Sequence, residues 1–207
     1  MASALGLQAA DTAKSTYFKF DAGVSLLQDL ELDTAGMIQD FVGEVSAKFK
    51  TDPGVRVDIA GGYNFSESWA VELEAGFTWN GVKEMEVSAL GLTEVTEWDA
   101  DYFQIPIQAN VIYRLPLQSK FKPYLGAGVG GVYSMISGED DEGEEFDETD
   151  FGFALQGMAG VDYEINQNTK IGIGYKFLGV IEPDFGEGAQ LENVYTHSIL
   201  AVFNMSF

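Results

Sequence analysis

Cysteine is absent from this chain, and lysine plus arginine number only 11 against 33 aspartates and glutamates. Without cysteine there is no disulfide framework, no thiolate nucleophile and no cysteine-based metal site. A net charge of −22 repels phosphate backbones, so nucleic acid is not an expected partner. Histidine occurs once, at His197, and no serine or cysteine arrangement around it suggests a triad. No apolar run approaches the roughly 20 residues that a membrane helix needs. That absence leaves a transmembrane β-barrel open, because a barrel strand crosses with only about 9–11 residues.

What is present is alternation. From Trp69 to Trp79 every odd position is apolar or aromatic, while the even ones are Ala70, Glu72, Glu74, Gly76 and Thr78. An extended chain puts these two sets on opposite faces. The pattern recurs in eight segments, at 18–26, 55–63, 69–79, 103–113, 125–135, 153–163, 171–177 and 195–207. Three connections are short (64–68, 116–122 and 166–169), and four are long (28–53, 80–101, 137–150 and 179–194). The long ones hold 25 of the acids and only Lys48, Lys50 and Lys83, leaving eight acids and eight bases elsewhere. Strict long–short alternation over an even strand count is the outer-membrane arrangement, with short periplasmic turns and long external loops. The fold expected is therefore all-β: an eight-stranded antiparallel up-and-down transmembrane β-barrel with four long extracellular loops. It is expected to occupy residues 15–207, after a flexible segment or signal-peptide remnant at 1–14. A soluble lipocalin-like barrel is the competing fold.

Volume decides which face is outside. An eight-stranded interior is just wide enough for side chains to fill it, and several bulky residues per strand would overfill it. The opposite face is rich in glycine, including Gly23, Gly62, Gly76, Gly126, Gly128, Gly160, Gly172 and Gly174. The apolar face is thus assigned to lipid, with aromatic girdles at both strand ends. The inward face carries Lys19, Arg56, Arg114, Lys170 and Lys176 opposite Asp21, Asp58, Glu72, Glu74, Asp162 and Glu164. These are read as a paired, structural lumen network, since isolated buried charge is costly; an ion pathway is the other reading.

With these residues placed, the chain resembles the small OmpA-type eight-stranded outer-membrane barrels, especially the opacity-like family. The carriers are 70–74 (Ala-Val-Glu-Leu-Glu), 105–107 (Ile-Pro-Ile), 123–128 (Pro-Tyr-Leu-Gly-Ala-Gly), 160–163 (Gly-Val-Asp-Tyr), 174–176 (Gly-Tyr-Lys) and Phe207. The resemblance implies a bacterial outer-membrane location, lipid and the barrel-insertion machinery as partners, and external loops used for structure, adhesion or recognition. It also implies that Phe207 acts as an assembly signal. A separate peptidoglycan-binding domain is not expected, and a monomer is.

Other features carry less chemistry. Glu72 and Glu74 point the same way, but the five lumen bases favour salt bridging over paired acid–base catalysis. The spacing G-x-G-x-x-G at 126–131 falls inside a strand, with no helix to follow it, which removes the dinucleotide reading. His197 falls on lipid-facing parity near the outer rim. Pro106 inside a paired strand predicts a bulge or bend. Met37, Ile38, Phe41, Val42, Val45 and Phe49 have the spacing of a short amphipathic helix. The acids from Glu139 to Asp150 match no EF-hand and suggest at most weak divalent-cation binding. No catalytic, cofactor or metal residues are assigned. The function expected is structural or surface-interacting rather than enzymatic, with a narrow channel or small-solute transporter as the alternative.

Overall fold

Ten strands alternate along the chain: β1 (Ser15–Leu27), β2 (Leu30–Glu31), β3 (Val45–Thr51), β4 (Gly54–Asn64), β5 (Trp69–Ala89), β6 (Leu92–Arg114), β7 (Phe121–Glu139), β8 (Glu145–Glu164), β9 (Thr169–Val180) and β10 (Val194–Ser206). The computed structural model describes residues 15–31, 45–89, 92–139, 145–181, 183 and 192–207. Residues 1–14 lie outside that set, so the sequence expectation for them meets no geometry. Each of β4 to β10 pairs antiparallel with the next, and β1 pairs with both β4 and β10. The ring of eight is closed, which removes the exposed edges that an open sheet of this size would present. β2 and β3 lie outside the ring: β3 pairs antiparallel with the far end of β5, and β2 with β3.

Burial follows the two-residue period of the strands. On β5, Glu72 and Glu74 are buried, whereas Val71, Leu73 and Phe77 are exposed. The most exposed apolar side chains of the barrel wall include Leu73 at 66% and Ile173 at 68%. An apolar exterior around a polar interior is the inverse of a water-soluble barrel, and it is what a lipid solvent selects. Ring pairs mark both ends of the belt. Trp69 and Tyr113 (4.8 Å between centroids) and Phe121 and Tyr163 (5.1 Å) lie at the short-turn end, and Phe177 and Tyr195 (5.6 Å) at the other.

The acidic connections are less loop-like than the sequence suggests. β5 continues to Ala89 and β6 begins at Leu92, so most of 80–101 is a paired hairpin; β7 likewise runs on to Glu139 and β8 begins at Glu145. Their threonines, valines and aromatics suit strands, and their carboxylates remain in water. Val45–Phe49 belongs to β3 and is not helical, because β5 offers a row of backbone partners that a short isolated helix lacks. Residues 37–42 of that expected helix lie outside the described set.

Pro106 produces no bulge. Pairing of β5 with β6 runs to Ala75↔Ile107 and resumes at Thr78↔Gln104 in unchanged register. The missing N–H leaves a gap in the ladder, and the ring faces inward at Gly76, whose added Cβ would press on both Pro106 and Asp58. The register shifts fall instead between Val82 and Glu84, and between Lys50 and Thr51, where the wall leaves the barrel.

Candidate functional site

The lumen is filled in three layers. At the end bearing the long hairpins, Leu27, Leu30, Val82, Ala100, Tyr102, Val132, Ala154, Leu178, Val180 and Val194 form one buried cluster, with Phe49 and Ile136 packed on it. Leu30 is 1% exposed, and Val82, Val132, Leu178 and Val180 are 0%. At the short-turn end a second cluster joins Tyr17, Ala70, Ile112, Tyr124 and Met158. The charged residues lie between these plugs. The sequence reading anticipated the charges and missed the plugs. The available signal was the apolar minority on the inward parity near strand ends, where glycine gives way to valine, leucine and tyrosine.

Lys176 on β9 is the centre of the charged layer. Its Nζ lies 2.8 Å from Asp58 Oδ2, 2.8 Å from Glu74 Oε2 and 2.8 Å from Asp21 Oδ2. The first two are hydrogen bonds; the Asp21 contact is an ion pair without hydrogen-bond geometry. Arg56, fully buried, donates from Nε to both oxygens of Asp58 at 3.0 and 2.9 Å. Its Nη2 donates to Glu74 Oε1 at 3.3 Å and to Gln156 Oε1 at 2.9 Å. Gln156 Nε2 in turn donates to Glu74 and to Asn110. Lys19 reaches Glu72 at 2.8 Å, and the Tyr17 hydroxyl donates to the same carboxylate at 2.6 Å. Glycine makes this crowding possible: a Cβ at Gly62 would overlap the Tyr17 ring, and one at Gly76 would overlap Asp58 Oδ1. Toward the outer plug, Ser25 donates to Asn80 and Thr196 to Gln104.

Seven of the expected network residues thus meet: Lys19, Asp21, Arg56, Asp58, Glu72, Glu74 and Lys176. Four do not join them. Arg114, Glu164 and Lys170 sit at the short-turn rim around an open basin of about 680 Å³, which Phe207 also lines. There Arg114 donates to Asn64 Oδ1 at 2.6 Å and covers the Tyr17 ring at 5.0 Å, while Glu164 lies 3.6 Å from Lys170 and 3.7 Å from Lys122. Asp162 is 3% exposed with Oδ1 unpartnered among the described residues. His197 faces outward as expected, its Nδ1 2.7 Å from the Tyr175 hydroxyl and its ring 5.2 Å from that of Phe177.

Outside the barrel, lysines are each matched to an acid. Lys48 lies 2.5 Å from Glu31, Lys50 lies 2.8 Å from Asp29, and Lys83 lies 2.6 Å from Asp52. The hydrogen bond to the carboxylate, then its charge, holds each ammonium above the usual lysine range. Among the described residues no group of three or more His, Cys, Asp or Glu is placed to hold a metal ion. Residues 140–144, the middle of the acidic stretch read for divalent cations, are outside that set.

Comparison with known proteins agrees with this architecture. An uncharacterised protein of Brucella abortus (strain 2308) is 34% identical over 85 residues, covering 35% of this chain and 28% of that protein. The matched region therefore spans under a third of the curated relative. Neisserial surface protein A is similar in structure, with a TM-score of 0.57 and 20% identity over 93% of this chain and 97% of that one. The outer membrane protein OprG from Pseudomonas aeruginosa gives 0.54 and 20% over 94% and 97%. The outer membrane protease OmpT from Escherichia coli gives 0.55 with 8% identity over 93% and 97%, so this fold alone does not separate enzymes from other barrels. The family model for the outer membrane protein beta-barrel domain matches residues 1–207. The chain belongs to that family, and its place is the bacterial outer membrane.

Proposed function

We propose that this member of the outer-membrane barrel family is a closed, non-conducting and non-enzymatic scaffold that carries an acidic surface module for structural or interaction roles. The observation that carries the reading is the lumen: two apolar plugs enclose a charged layer in which Lys176, Arg56 and Lys19 are each held by carboxylates. An eight-stranded interior leaves little room beyond its own side chains, and moving an ion past a dry apolar layer carries a desolvation cost of several kcal/mol. The rim at the hairpin end concentrates the acids of the chain, which matches display toward solvent rather than transport through the wall.

Planar-bilayer recording tests this. The purified protein is expected to give no discrete conductance steps. Reproducible openings that change with Arg56→Gln or Glu72→Gln would overturn the closed-scaffold reading in favour of a narrow channel.

A further inference from the structure

The hairpin of β5 and β6 rises past the barrel wall, and its two sides are treated differently. On one side β3 pairs with β5 from Val45↔Ala89 to Thr51↔Val82, and β2 covers part of β3. On the other side β6 pairs with β7 no further than Ala100↔Gly138. Residues Leu92 to Glu97 pair with β5 alone. Among the described residues nothing pairs with the outer edge of β6 between 92 and 99. That leaves a row of backbone donors and acceptors about 25 Å long, at ~3.3 Å per residue.

Natural edge strands are blunted against their own kind by charged side chains, lysine above all, by proline or by a bulge within the edge. Positions 92–99 contain no lysine and no proline, and the register shift, which sets residues 98 and 99 opposite Lys83, leaves 92–97 regular. Leu92 is 78% exposed and Val95 57%. The charges on the edge strand itself are all acidic, at Glu94, Glu97 and Asp99, and Glu84 and Glu86 lie beside it on β5 at the pairs Glu84↔Glu97 and Glu86↔Val95. The nearest lysine, Lys83 on β5 at the base of this edge, is held by Asp52, and Lys48 and Lys50 lie beyond β5 on β3, held by Glu31 and Asp29.

From this edge we infer that Leu92–Asp99 of β6 is a docking strand for an extended, basic polypeptide, which adds to the external sheet by backbone pairing. Charge favours a basic occupant over a second copy, because edge-to-edge pairing would set acids against acids in a chain of net charge −22. Alternation puts Glu94 and Glu97 on opposite faces of the strand. The fitting peptide therefore carries two bases three positions apart, one on each face, with a β-branched residue between them to cover Val95 and another beyond the base opposite Glu94 to cover Leu92. Backbone pairing supplies the affinity and these side chains the selectivity.

This inference rests on the surface-module reading, and two measurements keep them separate. Leu92→Cys, in a chain without other cysteine, should react with a membrane-impermeant maleimide on intact cells; failure to label overturns the display reading itself. The second measurement uses the purified protein in nanodiscs and a fluorescent eight-residue valine–threonine peptide with two arginines spaced three apart. Anisotropy should show saturable binding that weakens with salt. Two N-methylated forms, blocking alternate sets of amides, should differ: one loses about tenfold or more and the other binds as the parent does. The double variant Glu94→Lys, Glu97→Lys should reject this peptide and accept the matching glutamate peptide. Equal binding of both N-methylated forms would reduce the contact to surface charge and overturn strand addition. Absence of saturation would overturn it too, as would a dimer of the protein that excludes the peptide.

Discussion

Replacing Lys176 with methionine keeps the length of the side chain and removes its charge, and the surrounding contacts say where the loss falls. Three carboxylates lie 2.8 Å from Nζ. Asp58 keeps Arg56 at 2.9 Å, and Glu74 keeps Arg56 together with Gln156 and Asn110. Asp21 keeps only Lys19 at 3.7 Å, and Lys19 is already bound to Glu72 at 2.8 Å. The variant therefore leaves one buried carboxylate without a close partner, which costs about 3–5 kcal/mol when an ion pair of this burial is broken from one side. Adding Asp21→Asn should recover most of that cost, because it removes the stranded charge. Adding Asp58→Asn should recover much less, because Arg56 then loses its own partner. Urea unfolding in lipid vesicles, followed by tryptophan fluorescence, reads all four proteins in one double-mutant comparison. A loss below about 1 kcal/mol for Lys176→Met, at the level of an exposed pair, would refute the reasoning. Equal rescue by the two aspartate changes would refute it as well.

Two further outcomes test facing and assembly. Leu73→Arg, on the exposed apolar face near the middle of the belt, should cost about 2–4 kcal/mol, while Thr78→Ser on the inward face should cost far less; equal losses in the same unfolding assay would contradict the lipid-facing assignment. Deleting Phe207, whose N–H donates to Thr16 O at 2.9 Å where the first and last strands meet, should lower the membrane-inserted yield in cells, and an unchanged yield would make it an ordinary strand end.

The ring was legible because its period is two and its faces differ in volume as well as polarity. Glu72 and Glu74 between Val71, Leu73 and Phe77 identify inside and outside without reference to a partner strand. What escaped the sequence depended on partners. The extension of β5 and β6 through 80–101 looks like an acidic loop until Val87 is set beside Ala47 and Glu94. Val45–Phe49 carries helical spacing, and only the neighbouring β5 makes it a strand. Pro106 signalled an irregularity, yet Gly76 opposite it absorbs the ring without a shift in register. Within the lumen, residue types announced a charged layer but not its membership. Arg114, Lys170 and Glu164 share the inward parity of Lys176 and still end at the rim, because they lie at the short-turn ends of β6, β9 and β8.

The connectivity of the charged layer bears on how the ring closes during folding. Asp21 and Lys19 belong to the first strand of the barrel, Glu72 and Glu74 to β5, and Lys176 to β9, next to the last strand. In a sheet not yet rolled up, the two ends are far apart and these charges remain hydrated. Joining β1 to β10 brings Asp21 to Lys176 in the same movement that seals both plugs. Lys19–Glu72 and Arg56–Asp58 join nearby strands or lie within one strand and need no seam, whereas the three Lys176 contacts cross from β9 to β1, β4 and β5 and form only once the sheet has rolled up. Lys176 thus acts as a clasp: its three carboxylate partners come from strands on the far side of the seam, so its pairing rewards the closed ring and not the open sheet.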